Sequence, residues 1–402
     1  MSEEVIKKQA DDERKWICAM GLLVLLVTLF PLACPYLMEG GKIQEWLVRV
    51  QQSRLFLDAE VLSDAGMPFS ALQSGLFCLP FSLIYKITGN PVLAYRIFML
   101  LLQVGTFCSA LLMFRKLFAK EDNRRGVFWG VVFYITNPCR IAVCYDAADL
   151  ALAVVMMLVP IVIYAVVDLK NEMDWKAILA GALALAGIGY ADGALFWVVL
   201  AGLLLVCLIT GNLRGLLTVP PALLLFTGGI VRTIHYLFGN DFLKLGIDTQ
   251  PIAANGYYPG ELFLFFHAPG KLPGMGAGLF MALLAGAWLL LVENAHEEKE
   301  NRIFWGIVVV GAAMSLKYFP WNYVEHIGEW ASRLVTFFQT PVVFWALAQI
   351  CLCVPAAQSM VQMGRKKEKI QGICLPLLIY IVCVALTVWQ CNTLTYERLP
   401  LL

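Results

Sequence analysis

Carboxylates, arginines and aromatic rings gather in five short segments of this chain, set between long apolar runs. The first, residues 39–68, holds Glu39, Glu45, Arg49, Arg54, Asp58, Glu60 and Asp64. The second is CYDAADL, with Asp146 and Asp149, and the third is YADG, with Asp192 at a tight turn. The fourth runs from Tyr236 to Pro273 and is rich in Gly, Pro and aromatic residues, Tyr257 and Tyr258 among them. The fifth, YFPWNYVEHIGEWASRLVTFFQTP, starts at Tyr318. Carboxylates so placed can take a proton from a hydroxyl or hold a cation, and arginines can hold a phosphate through paired N–H groups. Taken singly, each has a plainer role, because a charged residue at the end of an apolar run is usually only solvated. His326, beside Glu325 and Glu329, is better explained by a surface ion-pair face with Arg333 than by a metal site. The aromatic rings would equally suit a membrane–water belt. What raises the group above these readings is that all five segments fall on one side once the chain is threaded through a membrane.

The apolar runs dictate that threading. WICAMGLLVLLVTLFPLACPYLM, from Trp16 to Met38, carries no charge. It is longer than the ~20 residues needed to cross ~30 Å of hydrocarbon. It is also too long for a signal peptide and reads as a signal anchor. Only helices and closed barrels satisfy every backbone polar group in lipid, so the pattern predicts an all-α polytopic membrane protein. About eleven transmembrane helices are expected, near 16–37, 92–114, 126–142, 150–168, 177–190, 194–210, 216–235, 275–292, 303–318, 340–356 and 373–390. With residues 1–15 as a cytoplasmic tail, the basic clusters RKLFAKEDNRR, HEEKENR and GRKKEK all lie inside, as the orienting rule for Lys and Arg requires. Residues 69–89 are apolar enough to cross, but a crossing there would turn those clusters outward. They are expected instead as a juxtamembrane or re-entrant hairpin broken near Pro80. The whole of 1–402 then forms one integral membrane domain, with outer loops at 39–91 and 236–274. Interfacial helices are expected on the outer face. Ile43, Trp46, Leu47 and Val50 recur at helical spacing, as do Val324, Ile327, Ala331 and Leu334.

Composition narrows the function classes. At 60% hydrophobic residues, 15% charged residues and a mean hydropathy of +0.73, the chain suits lipid rather than water. A net charge of +1 gives no reason to expect a nucleic-acid partner. Cys18, Cys108, Cys207, Cys351, Cys353, Cys374 and Cys383 lie in apolar runs and read as small hydrophobes; no CxxC pair suggests a thiolate metal site. No phosphate-binding glycine loop is present, which disfavours ATP-driven pumping. The expected spans hold almost no ionisable residues, unlike those of an ion pump.

FYITNPCRIAVCYDAADLALAVVMMLVPIVIYAV, from Phe133 to Val166, resembles the signature of the YfhO-like proteins, members of the GT-C superfamily of polytopic glycosyltransferases. Tyr134, Pro138, Arg140, Tyr145, Asp149 and Pro160 match that pattern, while Cys139 stands where an aromatic residue is usual. A second element is similar through Phe319, Pro320, Trp321, Gln339 and Pro341, with Thr340, Val342 and Val343 replacing its aromatic and basic positions. The first outer loop departs from the family, since alignment on Leu47 and Arg49 puts Lys42 where an Asp serves as catalytic carboxylate. A Lys can neither act as base at neutral pH nor attract a divalent cation.

The resemblance implies a GT-C-like fold in the cell membrane, a cytoplasmic N-terminus and transfer of a sugar from a polyprenyl-phosphate donor to an acceptor on the outer face. Asp149 and Asp146 would be the outer carboxylates, with Glu45 the best first-loop substitute. Arg49 and Arg140 would hold phosphate, and Tyr145, Tyr257 and Gln339 would line the substrate. Arg140 could equally neutralise Asp146 or snorkel. The resemblance fixes no cofactor, and a divalent cation would suit the leaving phosphate. The expected partners are membrane lipid and the lipid-linked sugar, and the sequence is silent on oligomeric state. Lys42 keeps a catalytically degenerate member, a non-catalytic membrane subunit, as the alternative, beside a lipid or sugar-lipid transporter.

Overall fold

The computed structural model describes residues 19, 21–33, 75–119, 124–145, 149–238, 256–263, 273–293, 299–337, 341–364 and 374–396. Nearly all of these residues are helical. The β pairing among them is one isolated parallel bridge, Tyr257 with Leu316. In chain order the helices are α1 (Gly21–Leu32), α2 (Gly75–Thr88), α3 (Pro91–Leu117), α4 (Arg124–Ile135), α5 (Pro138–Tyr145), α6 (Leu150–Asn171), α7 (Trp175–Ala191) and α8 (Gly193–Thr210). They continue as α9 (Val219–Leu225), α10 (Thr227–Phe238), α11 (Ala277–Glu293), α12 (Lys299–Ser315), α13 (Trp321–Glu325), α14 (Glu329–Phe337), α15 (Val342–Gly364) and α16 (Leu375–Tyr396).

Five helices, α3, α6, α8, α15 and α16, are long and apolar enough to cross a membrane, and the bent pair α4–α5 makes a sixth if counted as one span. The expected all-helical membrane architecture is therefore present. Shorter apolar helices at Gly21–Leu32, Trp175–Ala191, Leu213–Leu225, Ala277–Trp288 and Arg302–Ser315 fall where the remaining spans were expected.

Three expectations change. The run at 126–142 is not one straight helix, because α4 and α5 meet at 42°. The run at 216–235 is divided at Phe226, whose N–H still bonds back to Ala222 while the next helix starts at Thr227. Pro80 does not break the 69–89 segment over the residues described, since α2 runs through it. Pro80 is the sixth residue of that helix, so the one backbone bond it forfeits lies near the N-terminal end. Fourteen residues rise about 21 Å, short of a bilayer core.

The centre of the bundle is α15, with 83% of its apolar window buried. It packs against α4, α6, α11 and α12. Close approach to α12 depends on Gly311, where an added Cβ would sit 2.9 Å from the Phe344 carbonyl oxygen and 2.7 Å from Ala348 Cβ. Small residues at such contacts let helices meet where lipid supplies no hydrophobic drive. Helices α3, α6 and α7 form the second layer. Two polar contacts mark one end of the bundle: an ion pair joins Lys116 to Asp168, and Arg125 donates to the Gly364 carbonyl at 3.0 Å. Asp149 and Asp192, which start α6 and α8, lie at the other end.

Candidate functional site

The sequence Thr136-Asn137-Pro138 dictates the bend between α4 and α5. A residue before proline avoids the α conformation, asparagine is a strong N-cap, and proline is well placed as the first helical residue. Asn137 Oδ1 accepts the N–H groups of Cys139 at 2.9 Å and Arg140 at 3.3 Å. The Arg140 side chain turns back across the break. One terminal nitrogen donates to the Ile135 carbonyl at 2.6 Å and the other to Gln103 Oε1 on α3. Its side chain is 1% exposed, and no carboxylate among the described residues pairs with it.

Neighbouring helices fix this broken span from three sides. Tyr134 donates its hydroxyl to the Met156 carbonyl of α6, and Tyr145 donates to the Thr28 carbonyl of α1 at 2.8 Å. Gln390 of α16 donates to the Pro138 carbonyl at 3.0 Å. Gly276, at φ +76°, lies so close that a Cβ there would meet Pro138 Cγ at 2.5 Å. Thr136, Asn137, Gly276, Cys383, Thr387 and Gln390 line a narrow cleft beside the break.

Beyond α5 the chain reaches the acidic end. Asp149 caps α6 by accepting the Leu152 N–H at 3.0 Å. Asp192 ends α7 and starts α8, accepting the N–H groups of Ala194 at 2.8 Å and Leu195 at 3.0 Å. Burial, opposed by those two N–H groups and reinforced by the charge of Asp149, pushes the Asp192 carboxyl up to about 6. Tyr257 pairs through its backbone with Ser315 and Lys317 and is 1% exposed. Burial holds its phenol far above its usual range. Next to it, Tyr258 accepts from Lys317 Nζ at 3.0 Å, and Glu261 accepts the Tyr258 N–H at 2.7 Å.

Of the expected site residues, Arg140 and Tyr145 lie in α5 and Asp149 caps the helix that follows, while Tyr257 pairs with the end of α12. Glu45, Arg49, Asp146 and Gln339, with Lys42, lie outside the described residues. Arg140 does not snorkel: its guanidinium is enclosed and bonded to α3 and α4. Tyr257 is buried beside the end of α12 through its backbone bonds to Ser315 and Lys317, and it is Tyr258 that stays exposed. No group of three potential metal-ligating side chains occurs among the described residues. The buried amides Gln103, Asn137 and Gln390 were not singled out from the sequence. Their signal was an amide inside or beside an apolar run, which lipid tolerates poorly unless it is bonded. Asp192 was marked as a turn, and its proximity to Asp149 required the fold.

Compared with known protein families and curated proteins, the chain matches none.

Proposed function

We propose that this chain is an eleven-span cell-membrane protein with its N-terminus inside, and that its outer end transfers a sugar from a polyprenyl-phosphate donor to an acceptor hydroxyl. The observation that carries the reading is that Asp149 and Asp192 cap α6 and α8 at one end of the bundle, where burial, with a smaller contribution from the Asp149 charge, raises the Asp192 carboxyl to about 6. A carboxylate titrating near 6 is matched to accept a proton at neutral pH. In the reaction the acceptor oxygen bonds to the anomeric carbon and passes its proton to Asp192. The bond from that carbon to the phosphate oxygen breaks, and the lipid phosphate leaves with the electron pair. Burial, reinforced by the charge of Asp149, keeps the Asp192 carboxyl poised. Further support comes from the residues that carry the GT-C resemblance. Tyr134, Pro138, Arg140, Tyr145 and Asp149 belong to one continuous unit, from the end of α4 to the cap of α6.

The eleven-span reading also has a geometric argument. Asp149 and Asp192 share an end, so α6 runs away from that end and α7 must return to it. Trp175–Ala191, though only 17 residues long, therefore crosses as α6 and α8 do.

The test uses the purified protein in proteoliposomes with a radiolabelled polyprenyl-phosphate sugar and a glycolipid acceptor. Transfer by the native protein, reduced 100-fold or more in Asp192→Asn, is the expected result. A broken span also suits a transporter, because discontinuous helices commonly line translocation sites. Movement of the lipid-linked sugar across the bilayer without turnover would replace the transferase reading by that one.

A further inference from the structure

The bend at Asn137-Pro138 leaves the end of α4 short of a donor. In an unbroken helix the Asn137 N–H would bond the Phe133 carbonyl, and residue 138 would serve Tyr134. Pro138 has no N–H, and the Asn137 N–H turns instead to the Tyr134 carbonyl at 3.4 Å. The Phe133 carbonyl, aimed along α4 toward Asn137, has thereby lost its helical donor. A spanning helix is broken only where neighbouring side chains or ordered water take over such groups.

The cleft beside the bend has the means to do so. Phe133, Thr136, Asn137 and Thr387 all line it, and its free volume of about 20 Å³ exceeds the ~10–15 Å³ that one water needs. The Thr136 and Thr387 hydroxyls donate to the Val132 and Cys383 carbonyls, so each oxygen keeps lone pairs to accept a bond. Asn137 is 2% exposed, and its Nδ2 has no partner while its oxygen is committed to capping α5. Among these groups acceptors outnumber donors, which by itself would suit a cation. The Arg140 guanidinium, bonded to the nearby Ile135 carbonyl at 2.6 Å, repels one. An anion would face carbonyl and hydroxyl lone pairs. What fits is a neutral molecule of one heavy atom that both donates and accepts.

We propose that this cleft is a binding site for a single water, which donates to the Phe133 carbonyl and the Thr387 hydroxyl and accepts from Asn137 Nδ2. The water takes the place of the backbone bond lost at the bend and ties the broken span to α16. The bend is then a hydrated joint inside the bundle rather than a dry contact. The inference needs neither sugar transfer nor transport.

Water-edited solid-state NMR on the full chain in liposomes, with nitrogen-15-labelled asparagine, tests it. Polarisation starts on water and is read on the side-chain amides. Asn137 is assigned by the signal missing from Asn137→Ser, which keeps an oxygen to cap α5. Asn212 is the internal reference, because its amide is also buried but donates to the Val166 carbonyl at 2.8 Å. The Asn137 amide should receive polarisation at least threefold faster than that of Asn212. In Thr387→Leu, whose larger apolar side chain fills the cleft, Asn137 should slow to the rate of Asn212. Thr387→Val keeps the native shape without the hydroxyl, and Asn137 should fall there to an intermediate rate. A native Asn137 no faster than Asn212 overturns the proposal. So does an Asn137 rate that neither substitution at Thr387 changes.

Discussion

A residue's role in this chain is set by which of its polar atoms are already occupied. Asp192 is the clearest case, because its backbone N–H ends one helix while its carboxylate starts the next and titrates near 6. Its folded-state value lies above the ~3.9 of an unfolded aspartate. Between about 4 and 6 the folded protein therefore binds more protons than the unfolded chain. The contribution of Asp192 to stability is full below about 4 and is lost as pH rises through 6. Asparagine caps a helix as well as aspartate and carries no charge. Asp192→Asn should thus be more stable than the native protein at pH 7, by on the order of 1–2 kcal/mol once screening of a half-buried group is allowed for. Its melting temperature should also lose the fall between pH 4 and 6. Transfer activity should be lost in the same variant. Replacing Asp149 by Asn should lower the Asp192 titration, shifting the acid limb of the activity profile to lower pH. An unmoved limb would show that the two carboxylates do not communicate.

Among the elements, the bent span α4–α5 depends on a neighbour far away in sequence. Gly276 holds a left-handed backbone and leaves no room for a Cβ against Pro138. Gly276→Ala should cost about 2 kcal/mol and lower the melting temperature by several degrees. A melt unchanged from native would mean the break can shift to accept a methyl group. Helix positions were largely legible in the sequence because each apolar run is one physical unit with internally satisfied backbone. The bend at Asn137-Pro138 was less so. Its residues sit inside a run hydrophobic enough to be read as one span, and only the cap and the proline restriction together end a helix there. The role of Arg140 was not legible, since its partners Gln103 and Ile135 are assigned by packing rather than by spacing.

For the molecule as a whole, the alternation of ends makes a testable topology. Met173, exposed in the turn between α6 and α7, and Tyr323, exposed in α13, should face opposite compartments. A cysteine at Tyr323 should react with an impermeant maleimide in intact cells. One at Met173 should react only after permeabilisation, each read against the unsubstituted protein. Both reacting from outside would refute the crossing of α7.

The central position of α15 has a bearing on how the protein is made. Its residues, 342–364, are synthesised after α4, α6, α11 and α12, all of which rest against it. Chains emerge N-terminus first, so until α15 is made the earlier helices wait in the bilayer without their common partner. Over that interval the polar break, with Arg140 at its heart, lacks part of its final shielding. A ribosome stalled before Val342 would leave an intermediate that a membrane chaperone or protease could recognise. Biogenesis of this protein is thus governed by the arrival of α15.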